Sequence, residues 1–258
     1  RRHTRYISVT GVQTCALPIS RETVAMDHEV ALLNYLAQFD TPTICNALEL
    51  IDPSYRSNGF TTEPLKCIYP DLPPIVGYAK TGTVSAIAPS NRSAAEQLEN
   101  RINWYKYVDQ NPKPSIIVLQ DIDGERAGFG AFWGEVNSHV HRGLGAKGVI
   151  TNGSIRDIQM NATGFQMLAG SVMPSHAHVH IVDIACHVNV AGLNVHSGDL
   201  IHADRHGAVM IPHDAAVKIK EKIELIAKRE DVIISAAKQP GFNWEILSES
   251  IKKTLDIH

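Results

Sequence analysis

GVITNGSIRD, residues 148–157, is an apolar, β-branched run that breaks into a small polar turn and ends on adjacent opposite charges. A short apolar run bounded by Gly and Asn is the pattern of a strand buried on both faces. SIIVLQD (115–121) has the same character, and a helical stretch separates the two. Strands and helices alternating in this way imply αβ units in a layered α/β domain. Arg156 and Asp157 are where chemistry is expected. A guanidinium offers a planar fork of donors to a carboxylate, and an aspartate beside it can hold a hard divalent cation directly or through bound water. Taken alone, an Arg-Asp pair after a strand is more often a helix-start charge pair than a catalytic one, so its surroundings have to decide.

About twenty residues upstream, Gly134-Glu135-Val136-Asn137 opens a helical stretch. Free backbone N–H groups at a helix start bind anions such as a substrate carboxylate, and Glu135 could face a metal or hold its water. The competing reading is that Glu135 only complements the helix dipole. GERAGFG (124–130) follows a strand, but its spacing is wrong for a dinucleotide loop. HAHVH places His176, His178 and His180 on one face if the strand is regular, which could ligate a transition metal; hydrogen-bonded surface histidines are the simpler reading. Asp199 and Asp204 read as turn and strand-end residues. No Gly-x-Ser-x-Gly elbow appears and nothing local pairs Cys45 or Cys186 with a base, so nucleophilic catalysis finds no support.

Helical patterns flank this centre. Val30, Leu32, Leu33, Tyr35 and Leu36 share a helical face; DTPTICNALEL starts a second helix with Asp40 or Thr41 as cap, Pro42 in its first turn and Ile44, Ala47 and Leu48 inward. Ser93 to Val108 and Asp214 to Arg229 read as further helices. Strands are expected in IVGYAKTGTVSAIA (75–88), FQMLAGSVMP, HVHIVDIACHVNV, LNVHSGDLIHAD and AVMIP, the later ones as a run of hairpins. Mixed strand directions follow, not a clean doubly wound sheet.

With 44% hydrophobic and 20% charged residues among 258 and a formal net charge of -3, the chain has ordinary globular composition. It shows no basic stripe for nucleic acid and no apolar run near the roughly 20 residues that span a bilayer. Four scattered cysteines without a CxxC pair argue against a zinc knuckle or a disulfide framework and for reduced thiols in the cytoplasm. The start, RRHTRYISVTGVQTCALPIS, makes a poor signal peptide, because its apolar part is interrupted and lacks a cleavage site. SVTGVQTCALPIS resembles translated sequencing-adaptor read-through, so residues 1–20, Cys15 included, are expected to be non-native, and residues 21–258 to form one domain with C-terminal helices.

In order, DTPTICNALE, IIVLQDIDG, FWGEVNSHVHRGLGAKGVITNGSIRDIQ and GLNVHSGDLIHADRHGAVMIP resemble the RraA-like family, which includes the 4-hydroxy-4-methyl-2-oxoglutarate aldolases. The most specific portion is the GEV segment followed by the G-x-x-RD ending. The resemblance implies a swivelling β/β/α fold with mixed sheets and flanking helices, assembled as a homotrimer or hexamer. It implies a class II type, metal-dependent aldolase or decarboxylase, a carbon–carbon lyase acting on short oxo acids. By the same resemblance Arg156 holds the keto acid, Asp157 anchors Mg²⁺ or Mn²⁺, Glu135 supports metal-bound water, and the N–H groups of Val136 and Asn137 take the substrate carboxylate. Metal and guanidinium together can stabilise a pyruvate enolate, so no lysine Schiff base is required. Some family members are instead non-catalytic regulators that bind a ribonuclease; these tend to lack the aspartate of the RD pair, and Asp157 favours an enzyme. The family's Pro- and Gly-rich connection is replaced here by PSHAHVHIVDIACHVNV (174–190), which leaves the substrate open.

Overall fold

Asp40 accepts a hydrogen bond from the Thr43 N–H at 2.9 Å while Pro42 occupies the first turn, so the helix at DTPTICNALEL starts where its capping chemistry requires. Ile44, Ala47 and Leu48 are buried on its inner face. The computed structural model describes residues 21–257; the segment 1–20 and Cys15 lie outside the described residues. Along the chain come α1 (Arg21–Leu36), α2 (Thr41–Ile51), β1 (Lys66–Cys67), β2 (Ile75–Ser85), α3 (Ala94–Val108), β3 (Ser115–Asp121), β4 (Ala131–Trp133), α4 (Glu135–Gly143) and β5 (Ala146–Ile155). There follow β6 (Gln166–Val172), β7 (His180–Ile184), β8 (Val188–Val190), β9 (Leu193–Val195), β10 (Leu200–Asp204), β11 (Gly207–Ile211), α5 (His213–Ala237) and α6 (Trp244–Thr254).

The main sheet is mixed, as expected, and the fold is α/β with flanking helices. Its order is β1-β6-β5-β3-β2-β10-β11, with β4 added on β5 and β7 on β2. The centre, β2-β3-β5-β6, is parallel, whereas β10 and β11 run antiparallel to β2 and to each other respectively. The centres of β3 (116–119) and β5 (148–150) are apolar because each face is covered. Ile117, Leu119 and Val149 meet Trp104, Trp133 and Phe165, while Ile116, Val118 and Ile150 meet the β8–β9 hairpin through Val188, Val190 and Leu193. Each such side chain taken fully out of water contributes about 1.5–3 kcal/mol. A third apolar cluster joins α1, α2 and α5 to the other end of the sheet through Leu36, Ile44, Leu48, Ile211 and Ile219.

Two expectations need correction, and a third is decided between its alternatives. Within 75–88 a single long strand, β2, forms over Ile75–Ser85, because both its faces are buried and no turn interrupts it. The helix expected over 214–229 runs on to Ala237 and is followed by α6, which packs against it; Arg229 Nη2 donates to the Ile257 carbonyl at 2.9 Å. Of the two readings of HAHVH, the simpler one holds: His176 and His180 hydrogen-bond through Nδ1 to the Ala177 and His178 carbonyls, and no row forms. Ala177 takes a left-handed φ of +46°, so residues 176–179 turn and only His180 belongs to a strand.

Candidate functional site

Parallel pairing of β4 with β5 builds the site. Trp133 is in register with Ile155, and the Arg156 N–H donates to the Trp133 carbonyl at 2.9 Å. The residues that follow each strand, Gly134-Glu135 on one and Arg156-Asp157 on the other, therefore emerge side by side at the carboxyl ends of the strands, where open α/β sheets present ligand sites. Helix α4 begins there, with Gly134 as its N-cap and no side chain of its own to cap it. Asp157 supplies the missing acceptor from across the unit: its Oδ2 lies 3.4 Å from the Glu135 N–H.

The approach is close enough that a side chain at 134 would displace the Asp157 carboxylate. A Cβ on Gly134 would sit 2.5 Å from Asp157 Oδ2 and 3.2 Å from Arg156 Cγ. Gly134 itself has an extended φ of -172°, so the glycine is required by space and not by conformation. Asp157 takes φ +55°, in the left-handed region that Asp tolerates better than most non-glycine residues. The turn is held by the Met160 N–H on the Asp157 carbonyl and by Asn161 Nδ2 on the Arg156 carbonyl, at 2.8 and 3.1 Å. Arg156 Nε lies 3.3 Å from Asp157 Oδ2, and the two side chains are each 36% exposed. Such an ion pair adds little to stability, so the geometry leaves both groups available to a ligand.

Glu135 and Val136 are exposed and Asn137 is half-buried. The Ser138 N–H makes the first helical bond, to the Gly134 carbonyl, whereas the Val136 and Asn137 N–H groups have no acceptor among the described residues. The Asn137 side chain is not free: Nδ2 donates to the Phe132 carbonyl at 2.6 Å and Oδ1 accepts from the Tyr105 hydroxyl at 3.0 Å. This anchors the first turn of α4 while its amides point outward with the positive end of the helix dipole. Beneath it, His141 is fully buried. Its Nε2 accepts from Trp104 Nε1 at 2.8 Å, so Nδ1 carries the proton it shares with the Asn137 carbonyl at 2.7 Å. Burial holds the imidazole neutral and pushes its pKa down to about 4.

All five residues singled out from the sequence thus lie in one neighbourhood. The sequence reading missed Trp133, Tyr105, His141 and Asn161, which carry the site. Two of the GERAGFG glycines are explained by packing, since a Cβ on Gly128 would collide with Ser171 Oγ and one on Gly130 with the His176 carbonyl, while Gly124 faces open space and is explained by its left-handed φ of +61°. Close by, a cavity of about 300 Å³ is lined by Phe132, by Gln97 and Arg101 of α3, and by Val179, His180 and Ile181. The divergent 174–190 segment therefore does border a pocket, though Arg156 and Asp157 do not line it.

The described residues contain no cluster of three or more His, Cys, Asp or Glu side chains able to hold a metal, so a cation at this site would have Asp157 as its carboxylate and water for most of its shell, with Glu135 beside that water. That donor set fits Mg²⁺ or Mn²⁺, which keep several waters and need one or two carboxylates, and does not fit zinc. Asp157 Oδ1, without a partner among the described residues, is the free acceptor.

The model of the RraA-like family, Aldolase/RraA, matches residues 41–210. The chain belongs to the RraA-like family. That matched span contains every residue of the site. Protein DlpA of Legionella pneumophila subsp. pneumophila is 27% identical over 142 residues, 52% of this chain; the match spans only 22% of that relative's length. In three dimensions this RraA-like chain is similar to an uncharacterized protein from Pseudomonas syringae pv. tomato, with a TM-score of 0.62, 19% identity and 86% and 96% of the two chains covered. It is also similar to RraAS2 of Streptomyces coelicolor, described as an unusual member of the RNase ES inhibitor RraA family, with a TM-score of 0.59, 19% identity and 81% and 96% covered. The family thus holds both aldolases and ribonuclease inhibitors, and these structural likenesses concern the fold. No described helix is long and apolar enough to cross a membrane.

Proposed function

We propose that this RraA-like protein is a divalent-metal-dependent lyase that cleaves 4-hydroxy-2-oxo acids of the 4-hydroxy-4-methyl-2-oxoglutarate type and decarboxylates oxaloacetate, both through a pyruvate enolate. The observation that carries this reading is the convergence of the Arg156–Asp157 pair with the uncovered N-terminus of α4. Two anionic ends of one small substrate find two cationic or dipolar partners there. The Val136 and Asn137 amides receive a carboxylate, and the Arg156 fork receives the 2-oxo acid.

When bound, Mg²⁺ or Mn²⁺ supplies Lewis-acid stabilisation of the charge that develops on the substrate. Asp157 would hold it, with water completing the shell and Glu135 supporting that water. Glu135, exposed in the first turn of α4, takes the proton of the 4-hydroxyl. As that proton leaves, the C3–C4 bond breaks, C4 becomes a carbonyl, and the electron pair stays on C3 as the enolate of pyruvate. Arg156 stabilises that enolate before it is protonated. In oxaloacetate the same bond breaks with loss of carbon dioxide. The 36% exposure of the pair leaves one side open, which a second subunit closes in the homotrimer or hexamer that we infer.

The test is pyruvate release from 4-hydroxy-4-methyl-2-oxoglutarate and from oxaloacetate, with Mg²⁺ or with chelator, for the wild type and for Asp157→Ala. Turnover that disappears with chelator and in the variant is expected; turnover that survives both would remove the metal role. Capture of a ribonuclease without turnover of any oxo acid would assign the chain to the regulators.

A further inference from the structure

The C-terminal helix α6 carries a face that no other described element covers. Its sequence, WEILSESIKKT, continues into Leu255 in helical conformation. Trp244, Ser248, Ile251 and Leu255 recur at spacings of four, three and four, the seam of a helix that packs against another helix. The opposite side of α6, through Ser250, is buried toward α5. The seam is not: Trp244 is 73% exposed, Ile251 47% and Leu255 71%. A groove of about 290 Å³ runs along it, and every residue lining it, Trp244, Leu247, Ser248, Ile251 and Lys252, belongs to α6 itself.

The charges beside the seam identify the occupant. Glu245 and Glu249 lie in the amino-terminal half of the helix, Lys252 and Lys253 in its last turn. With Ser248 and Ile251 at the centre, Glu245 and Lys252 occupy equivalent flanking positions one heptad apart. In an antiparallel pair these positions face each other, so Glu245 of one helix meets Lys252 of the other, twice by symmetry. In a parallel copy the e positions face g positions, so Lys252 would lie beside Leu247 of its partner and Glu245 would meet no opposite charge. Dipoles are also opposed in the antiparallel arrangement. We propose that α6 pairs antiparallel with α6 of a second copy of this chain, Trp244 packing over Leu255 and Ser248 over Ile251 at the crossing.

A three-turn helix pair buries less than the roughly 1,200 Å² of a standard interface, so the isolated contact is weak and concentration-dependent. It is two-fold and separate from the site at α4, so it doubles whatever assembly the sheet domain forms and gains from each further pair closed in that assembly.

Sedimentation velocity of the full-length chain across micromolar concentrations tests this. The wild type is expected to reach twice the mass of a Trp244→Glu/Ile251→Glu variant, whose substitutions are at exposed positions and leave the fold intact. Glu245→Lys and Lys252→Glu alone should each weaken the pairing about tenfold by placing like charges opposite each other, and the two together should restore it. Equal masses for the wild type and the Trp244/Ile251 variant would overturn the proposal and assign the seam to another occupant. A charge swap no better than its single components would overturn the antiparallel arrangement.

Discussion

Asp204 and Asp157 perform the same local act in two parts of the sheet, yet they are finished differently. Each stands at or just beyond a strand end and turns its carboxylate onto the first turn of a helix distant in sequence, Asp204 onto α2 and Asp157 onto α4. Asp204 is 5% exposed in its side chain. It accepts from the Thr41 N–H at 3.0 Å, the His206 N–H at 2.8 Å and the His206 ring at 3.1 Å. Although burial opposes its ionisation, these donors together hold its pKa below the ordinary carboxylate value. Asp157 is 36% exposed, makes two long contacts through Oδ2, with Arg156 Nε at 3.3 Å and the Glu135 N–H at 3.4 Å, and keeps Oδ1 free. A saturated carboxylate holds the fold together; an unsaturated one in a left-handed turn retains capacity for a ligand.

The contrast predicts opposite phenotypes. Asp157→Ala should lower pyruvate release on the order of 10³-fold while changing stability by no more than about 1 kcal/mol. Asp204→Ala should cost about 3–5 kcal/mol in denaturant unfolding, because it leaves a buried set of donors unpaired, and should spare turnover per folded molecule. If both variants lose only stability, the distinction between the two aspartates fails.

Acid unfolding probes the support beneath α4. His141 has a folded pKa of about 4 against an ordinary value of 6.5, so the unfolded chain takes up its proton first. Its neutral form therefore stabilises the fold fully above pH 6.5, and that stability is lost as pH falls from 6.5 toward 4. The loss should reach about 3 kcal/mol across that window, with His202, also pushed down by burial, acting in the same direction under α2. A flat stability profile between pH 6.5 and 4.5 would contradict the buried, neutral assignment.

Two smaller effects sharpen the picture of the site. Arg156→Lys keeps the charge but removes the fork, and kcat/KM should fall about 10²-fold. Gly134→Ala is conformationally allowed yet pushes a methyl group against Asp157 Oδ2, so activity should fall about tenfold with little change in unfolding. An unimpaired Gly134→Ala enzyme would show that the close approach of the two segments is dispensable.

Much of this was legible in the sequence. Caps and turns are local, so α2 with Asp40 and Pro42, the strand before Arg156, and the turns at Asp199 and Asp204 could be read from neighbouring residues. What escaped depends on partners far away along the chain. Ala131–Trp133 is too short for periodicity to reveal a strand, yet its pairing with β5 is what brings Gly134 against Asp157. Tyr105 and Trp104 look like ordinary helical aromatics until α3 is laid beside α4. The histidine row required a regular strand, a condition that the turn at Ala177 breaks and that neighbouring residues alone do not announce.

The most direct measurement is Mn²⁺ titration of the folded protein, wild type against Asp157→Asn, followed by calorimetry or by the electron paramagnetic resonance of free Mn²⁺. The substitution keeps the shape of the turn and removes the charge. Affinity at least tenfold weaker in Asp157→Asn is expected; equal affinity in the two proteins would contradict the assignment of Asp157 as the metal-holding residue.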